Sequence, residues 1–557
     1  MAQAVYKYED DENDRPNDGG NNNNNAENVE EEKIRVIFKL ASDCTDETLR
    51  LPPDLASLAI PANVGRQGLS TIVNHLLERG NETKEDGDDD DDDEMERTKL
   101  PVIPLEFIVG PNHHRLLRTG LEREARQSGL SLEDALEITY FPALPAPQPL
   151  PDPQTVPDWI ASLQYVEESP QQQSSSSSSS TTNRPLLCAA GYDGSIHLFS
   201  CQKNSSSQTA GGVQLEKLVT VPQANQQAGP IKCFRAVACS SPFSVWMASG
   251  SMDHSLFLHW FQPNQKRDEP PTVQWAADCQ GHSAAVSQVD LMNTSASKRV
   301  LASADWDGHV CLWDCSDEAL ADAASTATAA KQDSKKRSKL NNSTQSQSSS
   351  SSSHASLSPV IMLPAHSSQV SGLSWGNHHK VKMQQDSSNV SSRFPEELIS
   401  ASWDHSIKVW NVERQDCLLT LNGSRVVTCL DSSYYSPGIV ATGHPDCTIR
   451  LWDVRVQQNG NAASMVSDNT FRPSHQGWVS DVKWSPHNPY HLGSTSHDGT
   501  IKLWDIRSSV PLHTVRAFAK NVDKGLCLAF GCQEDGIVFA GGTDCIVKQF
   551  AGAKVAV

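Results

Sequence analysis

The sequence predicts a mainly β protein in which a seven-bladed β-propeller follows a small α+β domain. A short motif, in which a turn Asp precedes a strand that ends in an aromatic residue, recurs seven times in the last two thirds of the chain. The region before these repeats lacks the motif and mixes strand-like with helix-like hydrophobic patterns. Acidic and Ser-rich runs of low complexity separate the segments that are expected to fold.

The net charge is concentrated near the N-terminus. The 557 residues contain 46 Lys and Arg against 67 Asp and Glu, a formal charge of −21. Residues 1–97 hold 26 of the acids and 10 of the bases, so the rest of the chain carries only −5. The excess acid belongs mainly to a tail, 1–32, and an insert, 78–97, both predicted to be disordered. Overall acidity therefore argues against a simple basic clamp on nucleic acid, but not against work on a nucleoprotein particle.

Several classes of protein are disfavoured. No apolar run reaches the roughly 18–20 residues that span a bilayer, and the N-terminus lacks the basic and apolar regions of a secretory signal. The 14 Cys residues show no recurring close spacing, so reduced and mostly buried thiols are expected. The sequence contains neither a P-loop nor a G-x-G-x-x-G motif, which leaves phosphate and dinucleotide chemistry without support.

The repeated motif places one Asp in each predicted blade. Two copies read SWDHSIKVW at Ser402–Trp410 and SHDGTIKLWD at Ser496–Asp505. Alternating apolar residues indicate strands with one buried face, and the Asp with its following residue indicates a tight turn. Neighbouring copies are 42 to 60 residues apart, apart from one step of 97 that contains a long insert. The predicted turn residues are Asp193, Asp253, Asp307, Asp404, Asp446, Asp498 and Asp544.

These copies resemble WD40 repeats, and the resemblance covers roughly residues 155–557. In WD40 blades a His, a Ser or Thr, the turn Asp and the Trp form a buried hydrogen-bond network. The resemblance assigns these structural roles to His282, His366 and His475, and to Trp313, Trp410, Trp452 and Trp504. The Ser stays open between Ser400 and Ser402 in one blade, and between Ser494 and Ser496 in another. Because the set recurs once per blade, we predict that it serves packing and not catalysis.

We place the propeller at 158–557, with disordered inserts at 169–183 and 321–358, after a Pro-rich linker at 142–157. Trp159–Val166 is the predicted first inner strand. The strand that closes the ring is either Ala553–Val557 or lies before Asp158.

Residues 33–141 are predicted to form the N-terminal domain. Lys33–Leu40 alternates as a half-buried strand, Gly68–Leu77 has helical spacing, and Pro104–Gly110 is a further strand. The order β-β-α-β-β-α-β is that of a small ubiquitin-like α+β fold.

The N-terminal stretches GLSTIVNHLL, PLEFIVG and LLRT resemble the Notchless-like ubiquitin-like domain. Together with seven WD40 repeats, they make the chain similar to the WD-repeat ribosome biogenesis factors of the PeBoW complex. This resemblance implies a non-enzymatic assembly factor of the large (60S) ribosomal subunit that acts in rRNA processing, in the nucleolus and nucleoplasm. The implied partners are the block-of-proliferation protein, on whose propeller this propeller docks, pescadillo, pre-ribosomal particles, and the AAA ATPase midasin. No cofactor of its own is implied.

The resemblance also singles out Glu133. In this family midasin grips the ubiquitin-like domain through an acidic side chain, which completes the coordination of a Mg²⁺ ion that the ATPase holds. The family's L-S-x-E pattern matches Leu130–Glu133, and carboxylate oxygen is a ligand that Mg²⁺ prefers. The residues alone favour a different interpretation, in which Glu133 is a loop or helix-start acid that follows a capping Ser131. Asp134 is adjacent but does not fall on the family position.

Other features keep alternatives open. The basic cluster of Lys335, Lys336, Arg337 and Lys339 is typical of a nuclear-import or nucleic-acid-binding segment, and equally of a solubilising loop. Direct RNA contact is left open. The fold also suits a substrate adaptor of a ubiquitin ligase. The paralogous Notchless protein is a third candidate, but it is recognised by eight blades and only seven motif copies occur here.

Overall fold

A computed structural model describes most of the segments predicted to fold. The described residues are 33–42, 44, 46–53, 55–82, 102–110, 115–127, 129–167, 185–203, 213–221, 229–240, 243–262, 272–294, 297–326, 355–376, 397–436, 438–454, 471, 474–531 and 536–552. The acidic tail at 1–32, the insert at 169–183, the basic cluster at 335–339 and the candidate closing segment 553–557 lie outside the described residues.

The N-terminal domain is a four-stranded sheet packed against a helix. Its elements are β1 (Lys33–Leu40), a 3-10 helix (Glu47–Leu49), β2 (Ser57–Pro61), α1 (Arg66–Glu82), β3 (Leu105–Val109), α2 (Leu121–Gln127) and β4 (Leu136–Pro142). The sheet order is β2-β1-β4-β3, with β1 and β4 parallel and the other pairs antiparallel. The alternation in β1 buries Ile34, Val36 and Phe38 against Leu69 and Val73 of the helix, so the predicted ubiquitin-like fold is confirmed. In place of one predicted strand, the described residues form only an isolated bridge between Ile108 and Leu116.

The chain then forms β5 (Pro147–Pro149) and β6 (Gln154–Thr155), followed by strands that assemble into seven sheets within the described residues. Blade one consists of β7 (Ile160–Val166), β8 (Leu186–Gly191), β9 (Ile196–Lys203) and β10 (Val213–Val221). Blade two consists of β11 (Ile231–Ser240), β12 (Phe243–Ser251), β13 (Leu256–Gln262), β14 (Thr272–Cys279) and, parallel to β14, β18 (Ala355–Leu357). Blade three consists of β15 (Val286–Asn293), β16 (Arg299–Asp305), β17 (His309–Asp314) and β19 (Ile361–Pro364).

The other four blades follow in chain order. Blade four consists of β20 (Val370–Trp375), β21 (Glu397–Ser402), β22 (Ser406–Asn411) and β23 (Asp416–Asn422). Blade five consists of β24 (Cys429–Ser432), β25 (Ile439–Gly443) and β26 (Ile449–Asp453). Blade six consists of β27 (Val479–Trp484), β28 (His491–Ser496), β29 (Thr500–Asp505) and β30 (His513–Arg516). Blade seven consists of β31 (Gly525–Phe530), β32 (Val538–Gly542) and β33 (Ile546–Gly552), to which β5 and β6 are added.

The first strand of each blade lies at the centre of the ring. Each of these strands packs beside the first strands of both neighbouring blades, and β7 of blade one contacts β31 of blade seven, so the ring is closed. The predicted mainly β architecture of seven blades is confirmed, and Trp159–Val166 does contain the first inner strand. An eight-bladed arrangement, the mark of the Notchless alternative, does not occur in the described part of the chain.

The chain between the two domains closes blade seven, and we call residues 143–156 the strap. Within it, β5 pairs antiparallel with β33, where Gln148 stands opposite Ala551, and β6 pairs with the beginning of the same strand. The closing strand therefore lies before Asp158. The prediction that residues 142–157 are a linker outside the propeller was wrong, because Pro147–Pro149 and Gln154–Thr155 within this range form the outer edge of blade seven.

Proline spacing explains that error. Pro147, Pro149 and Pro151 occupy alternate positions, and the residue between the last two, Leu150, donates its N–H to the carbonyl of Gln549 at 2.9 Å. An edge strand needs donors only on its inner side, so proline fits the outer positions and leaves no N–H groups there to recruit another strand.

Two predicted insert boundaries are also corrected. α1 continues through Glu82, so the acidic insert begins later than residue 78. A helix at 317–326 and strand β18 occupy both ends of the predicted insert 321–358. None of the helices in the described ranges is long and apolar enough to cross a bilayer. The thirteen Cys residues that the structure describes are free thiols, and eight of them are buried.

Candidate functional site

The predicted networks occur in blades four and six, and they settle which Ser takes part. His366 donates from Nδ1 to Asp404 at 2.9 Å, while its Nε2 accepts from the hydroxyl of Ser400 at 2.8 Å. Trp410 donates its indole N–H to the same Ser400 oxygen at 2.9 Å. A neutral imidazole satisfies both contacts, and burial indeed lowers the pKa of His366.

Blade six repeats this arrangement with His475, Ser494, Asp498 and Trp504. The corresponding distances are 3.1 Å for His475 to Asp498, 2.8 Å for His475 to Ser494 and 2.9 Å for the indole N–H to Ser494. Ser402 and Ser496 are not the network members: in each blade the network uses the Ser two positions earlier.

Blade three departs from the prediction at its acid. His282 donates to Asp305 at 2.9 Å and its Nε2 contacts Ser303, which also accepts the indole N–H of Trp313 at 2.8 Å. Asp307 lies in the predicted turn, but it is exposed, and its own backbone N–H donates to Asp305. Asp305 occupies the position that Ser251, Ser402 and Ser496 take in blades two, four and six, and it takes over the network role.

Blade five uses a His that the sequence analysis missed. His444 donates from Nδ1 to the carbonyl of Val426 at 2.8 Å, and its Nε2 lies 2.9 Å from Thr442 Oγ1. The same Thr442 oxygen accepts the indole N–H of Trp452 at 2.7 Å. The buried His thus comes from the end of the second strand, GHPD, and not from an upstream Gly-His position.

The other predicted turn Asp residues organise their own turns. Asp193, Asp446 and Asp544 each accept the backbone N–H of the residue two positions later, at 3.1 to 3.3 Å. Asp253 accepts the corresponding N–H at 3.0 Å. Every predicted Asp therefore lies in a turn between the second and third strands of a blade, and these turns define one face of the ring, which we call the turn face.

A cluster of charged side chains lies at the centre of the ring, where the first strands of the blades surround a cavity of about 240 Å³. Arg235 Nε lies 3.1 Å from Asp290, and Lys483 Nζ lies 3.7 Å from Asp481. Burial raises the pKa of Asp481 and Asp431, whereas Asp290 raises the pKa of Arg235 although burial opposes its charge. The sequence analysis missed this cluster, because each member is a single charge within an otherwise ordinary strand.

Large apolar side chains are exposed on the turn face. Trp159 and Trp478 are 48% and 50% exposed and lie immediately before the first strands of blades one and six. Trp159 packs edge-on against Tyr192 at 5.9 Å, and Trp478 stacks on His497 at 6.0 Å between ring centres. Further exposed members, each directly before a turn Asp, are Met252, Trp306 and Trp403.

Cations lie beside these rings. The pKa of His497 is lowered by partial burial and then by the nearby charges of Lys524 and Lys232. Lys232 also donates to the hydroxyl of Tyr192 at 3.2 Å. Exposed Trp and Tyr side chains are typical of protein-binding hot spots, so the turn face is a candidate docking surface.

Glu133 lies where the sequence analysis expects it, in the loop between α2 and β4. Leu130 and Leu132 of this loop pack on the core of the domain, while Ser131 and Glu133 are exposed. The hydroxyl oxygen of Ser131 accepts the backbone N–H of Glu133 at 3.2 Å. The loop is therefore anchored by its apolar residues and presents the carboxylate to solvent. No group of three or more His, Cys, Asp or Glu that could hold a metal ion occurs among the described residues.

The N-terminal domain contacts blade six on the face opposite the turns. The N–H of Leu116 donates to the carbonyl of Arg507 at 3.0 Å, and Arg118 donates to Ser508 at 3.3 Å. The guanidinium of Arg507 lies over the ring of Phe141 at 5.0 Å. Phe141 is near the end of β4 and Glu133 precedes its beginning, so roughly 17 Å of strand separates the contact from the exposed carboxylate.

Comparisons with known proteins match both domains. The family model described as the WD domain, G-beta repeat matches residues 275–314, 357–411, 415–453 and 467–505, which cover blades three to six. The model described as the NLE (NUC135) domain matches residues 42–123.

Several relatives align with this chain over most of its length. The chain is 29% identical over 525 residues to a protein of Chlamydomonas reinhardtii named ribosome biogenesis protein WDR12 homolog, covering 93% of this chain and 98% of that one. It is 26% identical to the Arabidopsis thaliana protein of the same name, over 84% of this chain and 87% of that one. It is also 26% identical to ribosome biogenesis protein YTM1 of Candida albicans, over 87% of this chain and 90% of the relative.

Proposed function

We propose that this chain is a member of the NLE-domain, WD40-repeat ribosome biogenesis proteins and serves large-subunit assembly as a scaffold without catalytic activity. The observation that carries the proposal is the alignment of both domains, in the same order, over nearly the whole length of proteins named for ribosome biogenesis. The proposed sites of action are the nucleolus and nucleoplasm, on precursors of the large subunit during rRNA processing.

We assign different tasks to the two domains. The propeller docks on the propeller of the block-of-proliferation protein, in a complex that also contains pescadillo, and its exposed tryptophans support such docking. The N-terminal domain is gripped by the ATPase midasin, which pulls the complex from the particle. The two tasks are compatible, because the N-terminal domain lies away from the turn face and Glu133 lies away from the interdomain contact.

Glu133 is the proposed ligand of a Mg²⁺ ion that the ATPase holds. Its exposed carboxylate follows a loop anchored by Leu130 and Leu132, so it can meet a partner without rearrangement of the domain. One carboxylate oxygen is the kind of contact that Mg²⁺ takes from a protein. The ion belongs to the partner in this proposal, and the chain supplies a single ligand.

Binding of full-length protein to the isolated adhesion domain of midasin tests this assignment. With Mg²⁺ present, Glu133→Ala should abolish binding, and chelation of the metal should abolish binding of the unaltered chain. Asp134→Ala is the matched control, since it removes the neighbouring exposed acid, and it should bind normally. Undiminished binding of Glu133→Ala would refute the assigned role.

The scaffold proposal has its own test. Full-length tagged protein should co-sediment with precursors of the large subunit, and Glu133→Ala should accumulate on them because it still docks but is not pulled off. An adaptor of a ubiquitin ligase should instead co-purify with ligase subunits and sediment away from these precursors.

A further inference from the structure

The strap is the only described covalent path between the N-terminal domain and the ring, and it is also the outer strand of blade seven. Its β5 and β6 pair with β33, the last strand of the described chain, while Trp159 leads from the strap directly into β7. The strap therefore pairs the beginning of the propeller sequence with its last strand, β33, within blade seven. Once the contact of the N-terminal domain with blade six is broken, any force that enters through this domain must pass through the strap.

The strap is held by few interactions. Outside the two short pairings, the N–H groups of Leu150 and Val156 donate to the carbonyls of Gln549 and Cys545, each at 2.9 Å. The side chains of His513 and Gln549 also contact the carbonyls of Leu144 and Pro151, at 2.8 and 3.2 Å. Proline at alternate positions removes other donors. The apolar anchors are Val156, which is buried, and Leu150 and Leu144, which are partly buried against blade seven.

The N-terminal domain is held much more firmly. β4 lies between β1 and β3 and pairs with both over five residues each. Eighteen buried apolar side chains form the core of the domain. Its contact with blade six, in contrast, rests on a few groups, chiefly the Leu116 and Arg118 donors to Arg507 and Ser508.

We propose that a pull applied at Glu133 first separates the N-terminal domain from blade six and then detaches the strap from β33, before the domain itself unfolds. The inference rests on the proposed function only for the identity of the protein that applies the force, the ATPase midasin. Detachment removes the outer strand of blade seven. It also breaks the pairing that connects the beginning of the propeller sequence to its last strand, β33. Force applied at Glu133 thereby destabilises blade seven of the propeller, the domain that we propose to dock on the partner.

Single-molecule force measurements on the full chain test this order of events. Handles are attached through unnatural amino acids at positions 133 and 417, the latter an exposed site on the outer strand of blade four. A disulfide between Gln148→Cys and Ala551→Cys, a directly opposed antiparallel pair, locks the strap to β33. The unlocked chain should show two reversible low-force steps before the larger unfolding events: separation of the N-terminal domain from blade six, and then detachment of the strap.

The oxidised variant should keep the first step and lose the second, and reduction of the same molecules should restore the second step, which provides the matched control. Two low-force steps in the oxidised variant, or unfolding of the N-terminal domain as the first event in the unlocked chain, would overturn the proposal. The measurement needs no partner. Its failure is therefore distinguishable from failure of Glu133→Ala to lose binding to the adhesion domain, which bears on the proposed function alone.

Discussion

Asp431 of blade five accepts the backbone N–H of Trp484 of blade six at 2.7 Å, and its own carbonyl accepts the indole N–H of that Trp at 3.1 Å. The same double contact joins Asp290 of blade three to Trp375 of blade four, at 2.9 and 3.2 Å. In each case an acid in the first strand fastens the end of the next blade's first strand. These contacts link blades to one another, whereas the His networks stabilise blades three to six internally.

Replacement of Asp431 should destabilise the propeller. Asp431→Ala leaves the N–H of Trp484 buried without its acceptor, which should cost about 1–3 kcal/mol in the free energy of unfolding. Asp431→Asn keeps an acceptor oxygen and should lose less. Urea unfolding followed by tryptophan fluorescence measures both, and equal midpoints for Asp431→Ala and the unaltered chain would contradict the role.

The two acids of the blade-three turn should behave differently. Asp305 accepts bonds from His282, from the N–H of Asp307 and from the N–H of His309 at 2.9 to 3.1 Å, so Asp305→Ala should cost at least about 1–3 kcal/mol in unfolding free energy. Asp307→Ala removes an exposed side chain and should change stability by no more than about 0.5 kcal/mol. Thermal unfolding of the two variants provides the comparison. A larger loss of stability for Asp307→Ala than for Asp305→Ala would show that the residue at the motif position, and not Asp305, carries the network role.

This pair shows how far a repeat motif predicts a site. The motif located every turn, because a strand-turn-strand pattern is local and is repeated in the sequence. It did not identify Asp305, since which of two acids accepts the His bond depends on how the third strand pairs with the second. His444 was missed for a similar reason: its partner, the carbonyl of Val426, belongs to a segment that carries no side-chain signal.

Long-range pairing limited the prediction of the domain boundary. The alternating apolar pattern of β1 predicted its buried face correctly, since the core of the N-terminal domain is formed by such patterns. The strap has no comparable pattern, and its prolines are typical of a linker. Only its pairing with β33, about 400 residues later in the chain, makes it a strand, as the register of Gln148 with Ala551 shows.

Acid should destabilise the propeller through His444. Burial, reinforced by the charge of Arg450, lowers the pKa of His444 from its usual 6.5 to about 4. The folded state therefore binds fewer protons than the unfolded state between these values, so stability is complete above pH 6.5 and is lost as the pH falls towards 4. The whole shift corresponds to about 3 kcal/mol.

The variant His444→Gln isolates this contribution from those of His366 and His475, whose pKa values burial also lowers. It should be less stable at pH 7.5 but should lose less stability than the unaltered chain between pH 6.5 and 4.5. Thermal midpoints across this range provide the comparison. Parallel pH profiles for the two proteins would show that His444 does not titrate as expected.

The exposed tryptophans of the turn face should matter for docking and not for folding. Trp478 is half exposed and stacks on His497, and Trp403 is 40% exposed beside the turn Asp of blade four. A Trp at the centre of a protein interface commonly contributes about 2 kcal/mol or more, so Trp478→Ala with Trp403→Ala should weaken binding of the block-of-proliferation propeller at least about tenfold.

Tyr435→Ala is the matched control, because Tyr435 is equally exposed but follows a first strand at the opposite end of blade five. Calorimetric titration of the full-length variants should give normal affinity for the Tyr435 variant alone, with unchanged unfolding midpoints for the tryptophan variants. Loss of affinity in the Tyr435 variant with normal binding of the tryptophan variants would place the docking surface on the other face.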